Sequence, residues 1–289
     1  MTKEERVAIY RETMNKIKEG GYKTTSGNNV LFSNLNDLIE NTKFYSSKIK
    51  IDYSSLPKYK TIIEVVNMDC LYDAKLLIDE GLNPAVLNMA SFHTPGGGVE
   101  RGSAAQEESI FRRSNIALSL YQFHSIGENY GMRQAEERYP LDYNYGGIYS
   151  PKVSVFRKSE KDGCELLDVP FNVDVISVPA VKRPSLKNGK IVPWVCDVLM
   201  NKIRQILDIA IVNGNDSLVL GAFGCGAYCT PPNEMAILFK RVLDNDKYKT
   251  AFRVISFAII DDKNAYREHN PEGNLKPFKD VFVNEREIL

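Results

Sequence analysis

Short apolar runs alternate with stretches of helical spacing from residue 61 onward, and this alternation limits the fold more than any other feature of the chain. The runs are "TIIEVV", "AVLNMA", "VDVISVPAV", "SLVLGAFG" and "FRVISFAII". Helices are predicted between them, including residues 71–79, 106–121 and 194–212. Continuous apolar strands separated by amphipathic helices are typical of a buried sheet with helices on both faces. The sequence therefore predicts a three-layer α/β/α fold.

The segments outside this alternation have different patterns. Thr2 and Glu5 have the spacing of a capping box, and the apolar residues behind them predict a helix that stops at Gly20. A second short helix is expected over residues 36–42. Residues 122–170 are rich in tyrosine and glycine and show no clear period, so we interpret them as an elaborated connection or a lid.

Composition and charge exclude several classes of protein. Of the 289 residues, 43% are hydrophobic, and 37 lysines and arginines balance 37 aspartates and glutamates. No global positive field is available to hold a nucleic acid, and no apolar run is long enough to span a membrane. Since no secretory leader is readable either, we expect a cytoplasmic protein that does not bind a membrane. We also expect a monomer without direct sequence-specific binding of nucleic acid.

The cysteine pattern argues against a disulfide framework. The five cysteines, an odd number without a C-x-x-C pair, are Cys70, Cys164, Cys196, Cys225 and Cys229. Reduced thiols fit this pattern better. Cys225 and Cys229 with His93 are an alternative set of metal ligands, but structural zinc needs four ligands in recognisable pairs. We therefore expect neither a metal nor another cofactor.

Two of the predicted strands lead into glycine-rich turns. Gly96, Gly97 and Gly98 follow "AVLNMA", and "GAFGCGAYC" follows "SLVL". At the carboxyl end of a strand, such turns let backbone N–H groups surround an anion. Each turn alone is better explained as a tight connection, but their matching placement suits a ligand with two linked phosphates. Neither turn has the spacing of a nucleotide-hydrolysing or an ordinary dinucleotide-binding loop.

Two adjacent carboxylates follow the first turn. Gln106, Glu107 and Glu108 come after an interval of seven residues and would open the next helix. Neighbouring helical side chains point about 100° apart, so the two carboxylates can take different roles. The structural alternative is that acidic residues simply favour the positive end of the helix dipole. Beside a phosphate site, however, a carboxyl group is what glycosidic chemistry requires.

The triple glycine followed by Gln-Glu-Glu resembles the signature of poly(ADP-ribose) glycohydrolase. The similarity to the bacterial-type branch of that family extends over "VVNMDCL", "QEESIFRRS", "IYSPKVSVFR" and "LVLGAFGCGAYCTPP". It implies a macrodomain-like mixed sheet, with an N-terminal helical accessory segment at residues 1–58 and a catalytic domain at 59–289. It also implies release of ADP-ribose from poly(ADP-ribose), so polymer and polymer-modified proteins are the expected partners.

The same resemblance implies a role for each matching residue. Glu108 would be the catalytic acid, and Glu107 would hydrogen-bond ribose hydroxyls. The expected substrate-binding residues are Asp69 at the adenine amino group, Asn88 at the distal ribose, Gly96, Gly97, Gly98 and Val99 at the diphosphate, Gln106, and Gly224, Gly226, Ala227 and Tyr228 in the second turn. Catalysis would then need a protonated Glu108 and a positioned water, without a covalent glycosyl-enzyme.

Several of these positions have structural alternatives. Asp69 would also serve as a helix N-cap, Asn88 as a cap of its own loop, and Tyr228 as a core residue. The sequence departs from the family at Ser91, where many macrodomains have asparagine, and at Tyr228, where phenylalanine is frequent. Two other functions share the same site: an ADP-ribose-binding reader and a hydrolase of single ADP-ribose groups. The intact Gln-Glu-Glu argues against the reader.

Overall fold

The computed structural model describes residues 1–33 and 35–282. Its helices are α1 (Lys3–Glu19), α2 (Leu35–Asn41), α3 (Cys70–Asp79), α4 (Gln106–Arg113), α5 (Ile116–Leu120), α6 (Pro193–Val212), α7 (Pro232–Leu243) and α8 (Leu275–Phe282). Its strands are β1 (Gly21–Lys23), β2 (Asn29–Leu31), β3 (Lys43–Tyr45), β4 (Ile62–Val66), β5 (Pro84–Met89), β6 (Gly147–Arg157), β7 (Leu166–Val178), β8 (Leu186–Lys187), β9 (Lys190–Ile191), β10 (Ser217–Leu220) and β11 (Val254–Ala258).

The chain groups into two compact units, and each unit draws on several separate segments. The first comprises Met1–Phe44, Ala90–Leu141 and Ile148–Ser177. The second comprises the remaining segments, which begin at Tyr45, Asp142 and Val178. The division at residue 58 that the family resemblance implies is a division along the sequence, and it stays a prediction.

The second unit contains a parallel sheet in the order β5-β10-β11-β4. Val219 of β10 pairs with Val86 of β5 and Ser256 of β11, and Phe257 of β11 pairs with Val65 of β4. α3 packs against β5, β10 and β11. Because the strands are parallel, the loops that follow β4, β5 and β10 leave from the same edge of the sheet.

An aromatic cluster fixes α7 and α8 to this sheet. The ring centroid of Phe257 in β11 lies 5.2 Å from that of Phe239 in α7, 5.2 Å from Phe278 and 4.8 Å from Phe282 in α8. Offset and edge contacts of this kind add to the hydrophobic stabilisation of the core. The sequence pattern predicted α7 but not α8.

The first unit begins with the predicted capped helix. Thr2 and Glu5 form the reciprocal capping box of α1, and Gly20 ends the helix in the left-handed region at φ 75°. Tyr10, Met14 and Ile17 are buried on one side of α1. The antiparallel hairpin of β1 and β2 follows directly and was not predicted.

The prediction of one helix over residues 106–121 is wrong. The chain leaves the helix at Ser114, which has extended backbone angles and bridges to Val155 of β6. The Asn115 N–H donates to the Ser154 carbonyl at 3.1 Å, and the Asn115 side chain accepts the Ser154 N–H at 2.8 Å. Hydrogen bonds to a neighbouring strand therefore replace the helical bonds, and α4 and α5 are separate helices.

The interpretation of residues 122–170 as a connection without regular structure is also wrong in part. The segment contains β6 and the first residues of β7, which pair antiparallel. The register of this pair shifts between Ser150 and Val153, around Pro151 and Lys152 with its φ of 49°. Apart from Pro151 and Lys152, every residue of β6 is buried, so the strand has no alternation of buried and exposed residues that a sequence period could show.

Candidate active site

The triple glycine and the first turn of α4 form one hydrogen-bonded unit. The Gly96 N–H donates to Oε1 of Glu107 at 3.0 Å, and the Gly98 N–H donates to Oε1 of Glu108 at 2.9 Å. The Ser91 N–H donates to Oε2 of Glu107 at 2.8 Å. The loop and the two carboxylates, which the sequence predicted to cooperate, are therefore in direct contact.

Gly97 lies where a larger residue does not fit. Its φ is +54°, and a Cβ atom would lie 2.7 Å from Oε1 of Glu108 and 3.2 Å from Oε2 of Glu107. Gly98 is restricted by packing instead, since its Cβ would lie 2.3 Å from Oγ of Ser103. The close approach of the loop backbone to the carboxylates therefore requires glycine.

The two carboxylates differ in their remaining hydrogen-bonding capacity. Glu107 is 4% exposed, and each of its oxygens accepts a backbone N–H. Glu108 is 7% exposed, and its Oε2 is buried without a hydrogen-bond partner among the described residues. An ionised oxygen in that position is costly because nothing replaces its water. Oε2 of Glu108 therefore differs from both oxygens of Glu107, each of which accepts a backbone N–H.

Arg112 supports the loop from α4. Its side chain is completely buried, Nη1 donates to the Ser103 carbonyl at 2.6 Å, and Nη2 lies 3.5 Å from Oε2 of Glu160. Burial lowers the pKa of the Arg112 guanidinium, and Glu160 opposes that shift. Thr13 of α1 donates to the Arg112 carbonyl at 2.7 Å. No sequence motif indicated a role for Arg112, although it lies one helical turn after Glu108.

A chain of tyrosine hydroxyls reaches Glu100, in the turn directly after the glycines. Tyr130 donates to Oε1 of Glu100 at 2.7 Å, and the Tyr10 hydroxyl lies 3.3 Å from that of Tyr130 and 2.5 Å from that of Tyr121. Burial raises the pKa of Tyr10, Tyr121 and Tyr130, so all three stay protonated at neutral pH. Tyr130, in the segment interpreted as a lid, thus contacts the turn that follows the three glycines through its hydrogen bond to Glu100.

The second glycine-rich turn, in the second unit, has open backbone donors. The N–H groups of Gly224, Gly226 and Ala227 donate to no residue that the structure describes. The Cys225 carbonyl instead points inward, 2.8 Å from Nε2 of His269. In the first loop, by contrast, the Gly96 and Gly98 N–H groups already bind the carboxylates. The second turn is therefore the better prepared of the two for an anion.

Asn88 and Asp69 occupy positions near the carboxyl ends of the parallel strands. Asn88 is completely buried in β5, which neighbours β10 and its glycine-rich turn. Oδ1 of Asp69 accepts the N–H groups of Leu71 and Tyr72 at 3.1 Å and caps α3. The N-cap interpretation of Asp69 is confirmed, and its contact with an adenine stays a prediction.

A metal centre finds no support in the described part of the chain. Within residues 1–33 and 35–282, no group of three His, Cys, Asp or Glu side chains is placed to hold a metal ion. Cys225, Cys229 and His93 do not form such a group, and none of the five cysteines, all of which the structure describes, forms a disulfide. Among the helices described, none combines the length and apolar character needed to cross a membrane.

The chain is similar to a known protein family and to solved structures of that family. The family model "Microbial-type PARG, catalytic domain" matches residues 10–158, just over half of the chain. A structure of poly(ADP-ribose) glycohydrolase from Thermomonospora curvata, bound to the inhibitor ADP-HPD, is 29% identical with a TM-score of 0.76. That match covers 96% of this chain and 99% of the other. A search of curated protein sequences found no match.

A second solved structure extends the comparison. Poly(ADP-ribose) glycohydrolase from Deinococcus radiodurans, in complex with ADP-ribose, is 25% identical with a TM-score of 0.67. The match covers 88% of this chain and 99% of the other. The predicted mixed α/β fold of macrodomain type is thereby confirmed, as is the family resemblance read from the sequence.

Proposed function

Because the chain belongs to the microbial-type poly(ADP-ribose) glycohydrolase family, we propose that it cleaves the ribose–ribose O-glycosidic bonds of poly(ADP-ribose) and releases ADP-ribose. One observation carries the assignment of the acid. Oε1 of Glu108 accepts the Gly98 N–H, and Oε2 is buried without a partner among the described residues. That arrangement leaves Oε2 as the site of the transferable proton.

Glu108 acts on the leaving oxygen. As the glycosidic bond lengthens, the anomeric carbon gains oxocarbenium character and the departing oxygen gains negative charge. Oε2 of Glu108 gives its proton to that oxygen, and water attacks the anomeric carbon and returns a proton to the carboxylate. Since Oε2 lies below the surface, contact with substrate requires a rotation of the carboxylate or a shift of the glycine loop.

Glu107 holds the sugar. Its two oxygens are fixed by the Ser91 and Gly96 N–H groups, and a carboxylate is an acceptor suited to ribose hydroxyls. A carboxylate fixed in this way loses little conformational entropy when the sugar binds. Glu107 is therefore a positioning carboxylate, and Glu108 is the acid.

The diphosphate is best matched by the second turn. Gly224, Gly226 and Ala227 offer N–H groups that no described residue accepts, and Tyr228 supplies a ring against the ligand. Gly96, Gly97, Gly98 and Val99 contribute close backbone approach on the first loop, where Gln106 opens α4. Asn88 at the distal ribose and Asp69 at the adenine complete the proposed set.

Three further expectations belong to this proposal. A monomer acts on polymer attached to proteins, with no nucleic acid bound directly. Five described cysteines that form no disulfide support a cytoplasmic location. Catalysis requires no metal, because general acid chemistry and positioning are sufficient for glycosidic hydrolysis.

The test is the release of ADP-ribose from automodified polymer by the purified protein, with and without a chelator. We expect release that the chelator does not change. Binding of ADP-ribose without any release would instead identify a reader, and release only from singly modified proteins would identify a hydrolase of single ADP-ribose groups.

A further inference from the structure

The second unit contains a cavity of about 240 Å³ that the proposed reaction does not use. It lies between the C-terminal half of α6 and the turn that leads into β11. Both of these lead toward the amino ends of parallel strands, whereas the glycine-rich turn follows the carboxyl end of β10. The cavity is therefore at the edge of the sheet where the parallel strands begin, and the turn assigned to the diphosphate is at the edge where they end.

The floor of the cavity presents hydrogen-bond acceptors. Asp208 is 2% exposed, and its Oδ1 accepts the hydroxyls of Tyr53 at 2.6 Å and Tyr248 at 2.9 Å. Gln205 is 1% exposed, and its Nε2 donates to the Ser47 carbonyl at 3.2 Å. The Gln205 Oε1 has no hydrogen-bond partner among the described residues. A buried acceptor without a donor is destabilising, and a ligand hydroxyl would satisfy Gln205 Oε1 after a rotation of the amide brings this buried oxygen to the cavity.

The rim of the cavity presents positive charge. Lys48 and Lys247 are exposed, and Arg204 is half-buried with Nη1 donating to Asn201 at 3.1 Å. None of the three forms an ion pair with a described carboxylate, although Nζ of Lys247 lies 5.0 Å above the Tyr53 ring. Burial raises the pKa of Asp208. Whichever protonation state Asp208 takes, the three cations outnumber it and the cavity favours an anion.

The size of the cavity narrows the ligand class. Pockets that enclose drug-sized ligands measure roughly 300–1,000 Å³, so 240 Å³ suits a smaller group. The acceptors at the floor of the cavity need hydrogen-bond donors on the ligand, such as hydroxyls. The cations at the rim favour an anionic group on the same ligand. A phosphorylated pentose carries both.

We propose that this cavity is a second ligand site, which binds a ribose 5-phosphate group with hydroxyls at Gln205 and Asp208 and phosphate at Lys48, Arg204 and Lys247. Two sources carry this group, the free product ADP-ribose and an ADP-ribose unit within the polymer, and this choice of sources rests on the proposed function. Tyr53 and Tyr248 orient the Asp208 carboxylate. In the first case the cavity binds the reaction product. In the second case it binds the polymer at a point distant from the bond that is cleaved.

The cavity is tested with ribose 5-phosphate and the full chain, by NMR titration or calorimetry. We expect Lys48→Ala with Lys247→Ala to weaken binding about tenfold, since two partly exposed charge contacts are lost. Both side chains are exposed, so the double variant should fold. The matched control is Lys249→Ala, an exposed lysine of the same turn that does not line the cavity. Unchanged binding by the double variant would overturn the proposal.

A second comparison separates a sugar phosphate site from a bare anion site. Inorganic phosphate should bind more weakly than ribose 5-phosphate, and Gln205→Met should reduce the affinity for the sugar phosphate only. Equal affinity for both probes in the wild type would contradict the sugar assignment.

The two sources are then distinguished with ADP-ribose and polymer. If free product occupies the cavity, the double lysine variant binds one ADP-ribose fewer per chain. If a polymer unit occupies it, the variant loses affinity for polymer while the ADP-ribose stoichiometry is unchanged. If the double variant changes neither the ADP-ribose stoichiometry nor the affinity for polymer, both proposed sources are wrong. Failure of the proposed function shows separately, as absence of ADP-ribose release by the wild type.

Discussion

The Gly98 N–H donates a hydrogen bond to Oε1 of Glu108 at 2.9 Å, which ties the triple glycine to the second carboxylate of the Gln-Glu-Glu motif. Gly96 does the same for Glu107 at 3.0 Å. The spacing of seven residues between the two motifs allows the chain to return so that the loop lies against the start of α4. The loop therefore positions the two carboxylates.

Gly97→Ala should lower turnover through Glu108. The new methyl group would lie 2.7 Å from Oε1 of Glu108, in addition to the strain of a positive φ. Displacing the acid should reduce kcat at least about tenfold, which corresponds to about 1.4 kcal/mol in the barrier. Steady-state kinetics on polymer measures the change.

Gly214→Ala is the matched control for that substitution. Gly214 has a φ of +78°, but its Cβ would meet no atom within 4 Å. Alanine there should cost about 1 to 2 kcal/mol of unfolding free energy from backbone strain, with kcat unchanged. Equal losses of kcat in both variants would show that strain alone, and not the contact with Glu108, is responsible.

Arg112→Met should destabilise the first loop. The substitution leaves the Ser103 carbonyl without the donor at 2.6 Å and removes a charge from beside Glu160. Glu160 keeps Arg6, whose Nε lies 2.9 Å away, so the expected loss is about 1 to 3 kcal/mol of unfolding free energy. Urea unfolding measures it.

Arg112→Lys separates positioning from charge alone. Lysine keeps the charge but has no planar fork to reach both Ser103 and Glu160. We expect partial recovery of stability with kcat still reduced and KM little changed. Wild-type kcat in Arg112→Met would contradict a role in positioning the loop. Arg11→Met, at an exposed position of α1, is the control.

The buried Lys202 should make the free energy of unfolding increase with pH in the alkaline range. It is 1% exposed, its Nζ has no hydrogen-bond partner among the described residues, and burial lowers its pKa to about 8. In the unfolded chain the pKa is about 10.4. Between pH 8 and 10.4 the unfolded chain binds more protons, so this group makes the protein more stable as pH rises.

Lys202→Met tests that dependence. Removing the buried ammonium should stabilise the protein at pH 7 by up to about 3 kcal/mol and abolish the contribution that grows above pH 8. Urea unfolding at several pH values, compared with the exposed control Lys249→Met, isolates it from other titrating groups. A variant less stable than the wild type at pH 7 would refute the assignment.

Tyr228→Ala should weaken the binding of ADP-ribose about tenfold, because an aromatic contact worth about 1 to 1.5 kcal/mol is lost. Tyr228→Phe keeps the ring and should retain most of the affinity. Calorimetry with ADP-ribose compares the two. Similar losses in both variants would indicate that the hydroxyl and not the ring makes the contact.

Periodic segments were predictable from the sequence because packing there follows local spacing. The helix predicted over residues 194–212 is α6 (Pro193–Val212), and the capping box of Thr2 and Glu5 marks the start of α1. Four of the five apolar runs became the parallel strands of the second unit, and "VDVISVPAV" became part of β7. In each case the hydrophobic pattern and the end signals agree, so tertiary contacts had nothing to override.

The features that were missed depend on partners distant in sequence. The break at Ser114 comes from bonds between Asn115 and Ser154 of β6. β6 showed no strand period because it is buried along nearly its whole length. For the site, the motif indicated the two glutamates, but which amide binds which oxygen depends on loop geometry. The cavity at Asp208 combines segments from across the second unit, which no local pattern reveals.

Glu108→Gln tests the central claim most directly. Glutamine keeps the shape and an acceptor for the Gly98 N–H but has no proton of suitable acidity to give. On automodified polymer, we expect ADP-ribose release to fall about 10²- to 10⁴-fold, with ADP-ribose affinity and thermal unfolding close to wild type. Glu136→Gln, at an exposed position, should leave release unchanged. Undiminished release by a folded Glu108→Gln protein would contradict the assignment of Glu108 as the acid.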